Sequence, residues 1–308
     1  MVEQLVSIVI PTYRRPTFLG RALRSVIAQT YEAWEALVVD DNDPASPGRL
    51  ETEAFMAAYA SDPRVHYLRH ERNAGGAAAR NTGILAARGA FVAFLDDDDE
   101  WLPEKLTEQL KLFGAGPLVA YSGYRTVDAA GLTLAVKTPR WRGEVLERLL
   151  ARNDVGTTST LLCRREDLLE VGLFDTTLPA SQDYDLYLRL AQRLPFDYVE
   201  APLVVFHNHD QGRVTGNVAA KERAVEPFAE KYRDLFARHP AAYFAHLMFF
   251  ARYFVSVGAR TAAARALARA RRLRPRSPEV LFYSALNALE PATLQSLLKV
   301  RRRWRKSS

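Results

Sequence analysis

Short apolar runs rich in β-branched residues alternate with helical stretches through the first part of the chain, and this alternation constrains the fold more than any other feature. The runs occupy residues 6–10, 36–39, 65–68 and 91–95, and helical spacing fills 19–29, 50–60 and 77–87 between them. Such repetition predicts a parallel sheet joined by right-handed crossovers. In sheets of this kind ligands gather beyond the carboxyl ends of the strands. The residues at those ends are polar or acidic: Pro11-Thr12-Tyr13, Asp40-Asp41-Asn42 and Asp96-Asp97-Asp98-Asp99.

The middle of the chain is more mixed, with strands expected near 119–124, 159–163 and 203–206 and a helix over 183–194. From residue 218 the pattern becomes almost wholly helical, and 259–274 followed by 279–289 reads as a helical hairpin. With 48% hydrophobic and 25% charged residues the chain has globular composition, so a buried core is expected. The lone Cys163 excludes an internal disulfide framework and any thiol-based metal cluster. It suits a reducing compartment. No secretion signal is read at the N-terminus, because Met1 runs into Pro11 without a basic or long apolar segment. The stretch 241–258 is interrupted by His246 and Arg252 and falls short of the roughly 20 residues a membrane span needs; it is expected to be a buried helix.

The net charge of +6 is unevenly placed, since 260–308 is rich in arginine and holds only Glu279 and Glu290 as acids. That end is either a solvated helical face or a surface that attracts anionic lipid or nucleic acid.

Four consecutive acids at a strand end repel one another unless a cation neutralises them. Oxygen ligands favour Mg²⁺ or Mn²⁺, and an ion held by one or two carboxylates keeps positions open for diphosphate oxygens. A solvated acidic loop, or acids favoured by the start of a helix around 103–112, explains the run equally well. Asp41 can accept hydrogen bonds from a base or ribose, or can simply form a turn. Thr12 and Tyr13 offer a hydroxyl and a ring for a nucleoside pocket, with core packing of Tyr13 as the alternative. The segment Asn73-Ala74-Gly75-Gly76-Ala77-Ala78-Ala79-Arg80-Asn81 supplies glycines for close backbone approach and an arginine that either meets a diphosphate or braces a nearby acid.

Together, Ser7-Ile8-Val9-Ile10-Pro11-Thr12-Tyr13, Val38-Val39-Asp40-Asp41, Ala79-Arg80-Asn81-Thr82-Gly83 and Phe94-Leu95-Asp96-Asp97-Asp98-Asp99 resemble the motifs of the family 2 glycosyltransferases, inverting enzymes of the GT-A fold. The resemblance implies an α/β, Rossmann-like architecture with a mixed, mainly parallel central sheet flanked by helices, followed by a C-terminal α-helical region. It divides the chain into a catalytic domain over 1–217, with a donor-binding half to about 115 and an acceptor half beyond, and a helical region with a basic tail over 218–308. By position it makes Asp41 the nucleotide-base residue, with Pro11, Thr12, Tyr13 and Arg80 lining the donor. It makes Asp96 and Asp98 the acids of an Asp-x-Asp motif, with Asp98 the direct metal ligand and Asp97 facing ribose or sugar. Ser181-Gln182-Asp183-Tyr184-Asp185 matches the segment that carries the general base, which makes Asp183 the candidate; a helix N-cap is the plain alternative. Gln182 stands where many members have glutamate. His209 matches a loop histidine that completes metal coordination or touches the diphosphate, and Arg213 would neutralise the leaving group.

The implied reaction is a single displacement from a nucleoside-diphosphate sugar, uridine diphosphate being the favoured donor, onto a carbohydrate or lipid-linked acceptor in bacterial cell-surface synthesis. No nucleic acid partner is expected. The expected location is cytoplasmic, with the basic cluster Arg301-Arg302-Arg303-Trp304-Arg305-Lys306 holding the chain against the inner face of the membrane. Two rivals are a nucleotide-sugar-binding scaffold and a sugar-phosphate nucleotidyltransferase; the latter characteristically has a glycine-rich basic loop where this chain reads Pro11-Thr12-Tyr13-Arg14-Arg15.

Overall fold

The computed structural model describes residues 4–208 and 218–289, which fall into two compact units: 4–146 with 154–208, and 147–153 with 218–289. The first opens with β1 (Val6–Thr12), α1 (Pro16–Ile27), β2 (Trp34–Asp40), α2 (Pro47–Met56), β3 (Val65–Arg69), α3 (Gly76–Ala86) and β4 (Phe91–Phe94). This is the alternation that the apolar runs predict. Next come β5 (Asp99–Trp101), α4 (Lys105–Leu110), β6 (Val119–Val127) and β7 (Thr133–Lys137). Beyond α5 (Leu146–Ala151), most of which groups with the helical unit, follow β8 (Leu162–Arg164), α6 (Arg165–Glu170), α7 (Gln182–Ala191) and β9 (Phe196–His207).

The strands form one sheet in the order β3-β2-β1-β4-β8-β6-β9-β5, with β7 added against β6. β1, β2, β3 and β4 pair in parallel, β8 runs antiparallel to both β4 and β6, and β9 lies parallel to β6. Strands β1 to β4, β6 and β9 therefore present their carboxyl ends at one edge. The sheet is mixed and mainly parallel, as expected.

β2 and β4 are buried along their whole length and β1 almost so, as parallel strands covered on both faces must be. Ile8, Ile10, Leu19, Leu23 and Val38 are fully buried, each contributing about 1.5–3 kcal/mol through lost apolar exposure. Gly83 lets α3 lie directly on β1, because a Cβ there would meet Val9 Cγ1 at 2.3 Å. That contact seats the helix carrying Arg80.

Two local expectations change. Residues 158–160 form a tight 3-10 turn and the strand is confined to Leu162–Arg164, because the hydroxyls of 157–159 bond to the acids facing them. Residues 99–101 form a strand rather than leading into a helix, since they pair with β9.

The second unit comprises α8 (Val218–Lys231), α9 (Arg233–Arg238), α10 (Pro240–Val257), α11 (Arg260–Leu273) and α12 (Pro278–Ala288), together with 147–153. Phe244, Leu247, Met248 and Ala251 of α10 pack against Ala266, Leu267 and Ala270 of α11, the two alanines allowing close approach. His246 is buried among Phe228, Phe236 and Phe250, and burial pushes its pKa down to about 3 despite a hydrogen bond with the Leu150 backbone. It is neutral core. Arg265 pairs with Glu222 at 2.9 Å and Arg269 with Glu226, so part of the basic face of α11 is a solvated ion-pair surface. Among the described residues no helix is long and apolar enough to cross a membrane.

Candidate active site

The common carboxyl edge gathers the polar tips. Thr12, at the end of β1, is buried and donates from Oγ1 to Asp97 Oδ2 at 2.8 Å. Pro11 is half-buried in register with Val39. Tyr13 is 37% exposed, so its ring is not core; the Arg14 guanidinium lies 4.8 Å from its centroid. Arg14 has φ 59°, a left-handed conformation that non-glycine residues adopt mainly in tight turns.

Asp41 is held by an array of donors. Its Oδ1 accepts from the Ala74 amide at 2.8 Å and faces His70 Nδ1 at 2.8 Å, and its Oδ2 accepts from Asn73 Nδ2 at 3.0 Å and the Gly75 amide at 2.8 Å. Gly75, at φ 89°, is the residue that can turn its amide inward there. The neighbouring Asp40 is ion-paired with buried Arg49, whose guanidinium also donates to the Asn42 and His70 carbonyls. Arg49, His70 and Asn73 thus order the loop around Asp41. Sequence reasoning passed over the first two, because neither breaks the pattern of its element.

The four acids diverge. Asp96 is ion-paired with Arg80 and accepts from Thr158 Oγ1 at 3.2 Å and Thr157 Oγ1 at 3.4 Å. Asp97 takes the Thr12 bond. Asp98 meets Arg15 Nη1 at 2.9 Å, and that nitrogen is 3.7 Å from Asp97. Asp99, fully buried in β5, accepts from Ser159 Oγ at 2.6 Å, and the same hydroxyl oxygen accepts from the Asp96 amide at 3.1 Å. Asp97 and Asp98 are only 6% and 8% exposed, which sets aside a solvated acidic loop. A helix-start role is set aside too, since α4 begins at Lys105.

Burial, followed by the nearby Asp98 charge, raises the Asp97 pKa to about 7 against the pull of Thr12 and Arg15. An oxygen-only pair under such repulsion fits a hard divalent cation. Among the described residues no three His, Cys, Asp or Glu side chains form a metal cage, so a cation at Asp98 would take further ligands from elsewhere, as diphosphate oxygens provide. Arg15 and the hydroxyl run 157–160 were missed at sequence level; four consecutive hydroxyl residues opposite four acids were the available signal.

Asp183 lies in the first turn of α7 rather than at its cap, which is Ser181 at φ 64°, ψ 27°. A left-handed serine there costs about 1–3 kcal/mol and sits two residues from the candidate base. Burial raises the Asp183 carboxyl above the ordinary aspartate range, with the Tyr184 amide and Arg80 opposing and Asp96 adding to the rise. Arg80 responds to both Asp96 and Asp183 and lies 5.6 Å from the Phe174 ring centroid. The Tyr187 hydroxyl, one turn further on, is buried without a hydrogen-bond partner among the described residues. Thus Arg80, Asp96 and Asp183 converge, with Thr12, Asp97 and Asp98 alongside. His209 and Arg213 lie outside the described residues. His207, at the end of β9, is 3.2 Å from Glu100.

The model of glycosyl transferase family 2 matches residues 7–170. A protein of Escherichia coli K12 named for glycosyl transfer in colanic acid biosynthesis, WcaA, is 31% identical over 251 residues, 78% of this chain and 85% of the relative. The Escherichia coli UDP-Glc:alpha-D-GlcNAc-diphosphoundecaprenol beta-1,3-glucosyltransferase WfgD is 38% identical over 191 residues, 62% of this chain and 71% of the relative. In three dimensions, S. aureus TarS 1-349 crystallised with UDP-GlcNAc superposes with a TM-score of 0.68 at 16% identity, covering 99% of this chain and 92% of that one. This chain belongs to glycosyl transferase family 2 and is a glycosyltransferase with the GT-A fold.

Proposed function

We propose that this protein transfers a sugar from a nucleoside diphosphate, most favourably uridine diphosphate, to a hydroxyl of a carbohydrate or lipid-linked acceptor in bacterial surface polysaccharide synthesis, inverting the anomeric configuration. The observation that carries this reading is the convergence of Asp183 with Arg80 and Asp96 at the strand edge. The uridine nucleotide is supported by the ligand of TarS and the donor in WfgD's name, the lipid-linked acceptor by WfgD, and the pathway by WcaA.

In this mechanism Asp183 accepts the acceptor's hydroxyl proton while that oxygen bonds to the anomeric carbon. The bond from the same carbon to the diphosphate breaks, and its electron pair leaves with the nucleoside diphosphate. The raised pKa of Asp183 suits it to general-base work, which is most efficient when base strength lies near the operating pH. Asp98 and Asp96, with His209, would hold Mn²⁺ or Mg²⁺, which supplies Lewis-acid stabilisation of the departing diphosphate. Pro11, Thr12 and Tyr13 border the nucleoside, and Asp41 acts there by fixing the 73–75 loop. Arg80 and Asp97 face the diphosphate and sugar, and Arg213 meets the leaving group. Peripheral association with the inner face of the membrane through residues 301–306 completes the proposal; those residues lie outside the described ones.

Single-turnover transfer from labelled uridine diphosphate sugars to a panel of acceptors tests this. Asp183→Asn is expected to lose about 10²–10⁴-fold in rate while still binding uridine diphosphate. The wild-type rate should fall as acid protonates Asp183, with a midpoint above the ordinary aspartate value of 3.8. Undiminished transfer by the variant would remove Asp183 from the mechanism. Donor binding by the wild type with no transfer to any acceptor would favour the scaffold.

A further inference from the structure

Lys105, at the start of α4, is a charged residue that the chemistry above does not use. It is fully buried. Among the described residues no carboxylate forms an ion pair with it, and burial lowers its pKa well below the ordinary lysine range. An apolar side chain of similar length would fill the same space without taking an amine out of water, so packing alone does not account for a lysine here. Its Nζ donates to Gln109 Oε1 at 2.6 Å and lies 3.9 Å from the centroid of the Trp101 ring.

The amine orients an amide. A glutamine side chain can exchange its oxygen and nitrogen by rotating half a turn with little change of shape. With the lysine donor at Oε1, the buried Gln109 turns Nε2 the other way, where it donates to the Thr160 carbonyl at 2.8 Å. Trp101 grips the preceding residue, its Nε1 donating to the Ser159 carbonyl at 2.9 Å. Asp99 and Trp101 leave the same face of β5, and Asp99 accepts from Ser159 Oγ at 2.6 Å. Ser159 is thus held by both its hydroxyl and its carbonyl.

The turn gripped in this way meets the acid run. Ser159 Oγ accepts from the Asp96 amide at 3.1 Å, and the Thr158 and Thr157 hydroxyls reach the Asp96 carboxylate at 3.2 and 3.4 Å. Asp96 is ion-paired with Arg80, whose charge also acts on Asp183. A continuous line of contacts therefore joins the α4 core to the candidate base. We propose that Lys105, Gln109 and Trp101 are positioning residues for sugar transfer: Lys105 sets the Gln109 amide, and that amide and the Trp101 indole clamp the 158–160 turn against Asp96 and Asp99. The effect on transfer rests on the proposed function; the clamp itself does not.

Two variants of the full-length protein separate orientation from packing. Lys105→Met keeps the length and removes the donor, whereas Gln109→Glu keeps an acceptor for Lys105 and removes the donor to Thr160. Hydrogen exchange read by mass spectrometry needs no substrate. Both variants are expected to exchange on the order of tenfold faster over 94–99 and 157–162, with β1 and β2 as protected as in wild type. Transfer at saturating donor is expected to fall on the order of 10–100-fold in each, the size of effect that a small misplacement produces. In a Ser159→Ala background, where the hydroxyl between turn and acids is gone, Gln109→Glu should cost no more than about threefold further, because members of one network are not additive. Wild-type exchange over 94–99 in both variants, unchanged transfer, or a full further loss in the Ser159→Ala background would overturn the proposal. Unfolding of Lys105→Met would assign the amine to holding the core and overturn it as well. Faster exchange in the variants of a wild type that transfers to no acceptor would sustain the clamp and overturn the proposed function instead.

Discussion

Asp41 and Asp97 both lie at the carboxyl edge of one sheet, both are at least nine-tenths buried, and their surroundings treat them in opposite ways. Asp41 is met by backbone amides, an asparagine amide and a histidine. Asp97 has Thr12 and a more distant Arg15 on its side, with Asp98 repelling it. A buried carboxylate that accepts several hydrogen bonds is a stable anchor. One pressed against another acid is stable only when protonated or when a cation arrives. The comparison teaches that acid residues at a strand end are not one class: the first is fixed by donors of the 70–75 loop, and the second is opposed by a neighbouring acid.

Substitutions can break or sharpen this contrast. The largest effect is expected at Asp98, where Asp98→Ala should lower sugar transfer on the order of 10³-fold, comparable with losing a principal electrostatic group of a transition state; steady-state kinetics at saturating Mn²⁺ would show it. Next, Asp41→Ala leaves the Ala74 and Gly75 amides, in part-buried hydrogen bonds, without their acceptor and should cost about 1–3 kcal/mol in all, since water reaches the exposed Ala74. Urea denaturation measures this, and a shift below about 0.5 kcal/mol, the size of an ordinary surface substitution, would erase the distinction between the two tips.

The smallest effect is at Asp97. Its folded pKa of about 7 stands above its ordinary 3.8, so its contribution to stability is fully present below the lower value and lost as pH rises through the upper one. Without divalent metal, Asp97→Asn should therefore match wild type near pH 4 and be more stable than wild type at pH 8. Thermal melts across that range would show a flat profile for wild type relative to the variant if the two acids are not in conflict.

Most of the sheet was legible because buried parallel strands must be continuously apolar, as residues 36–39 and 91–95 are. The positions of Thr12, Asp41, Arg80, Asp96 and Asp183 followed from motifs at strand and helix ends. Their partners did not. Arg49 and His70 bind across 7 to 29 residues of sequence, and local patterns carry no signal for such pairings. A strand is expected from residue 159, whereas the bonds of Thr157, Thr158 and Ser159 to Asp96 and Asp99 hold 158–160 in a tight turn. β7 was not anticipated because exposed leucine and valine on a hairpin contradict the apolar-in pattern on which strand reading depends.

The most direct test of the central claim, that the Asp96–Asp99 turn binds a cation together with the donor, is calorimetric titration of uridine diphosphate into wild type and Asp98→Ala, each with Mn²⁺ and with chelator. The account predicts that Mn²⁺ tightens binding on the order of tenfold or more in wild type, about 1.4 kcal/mol, and leaves Asp98→Ala unchanged. Equal affinity with and without Mn²⁺ in the folded wild type would contradict it.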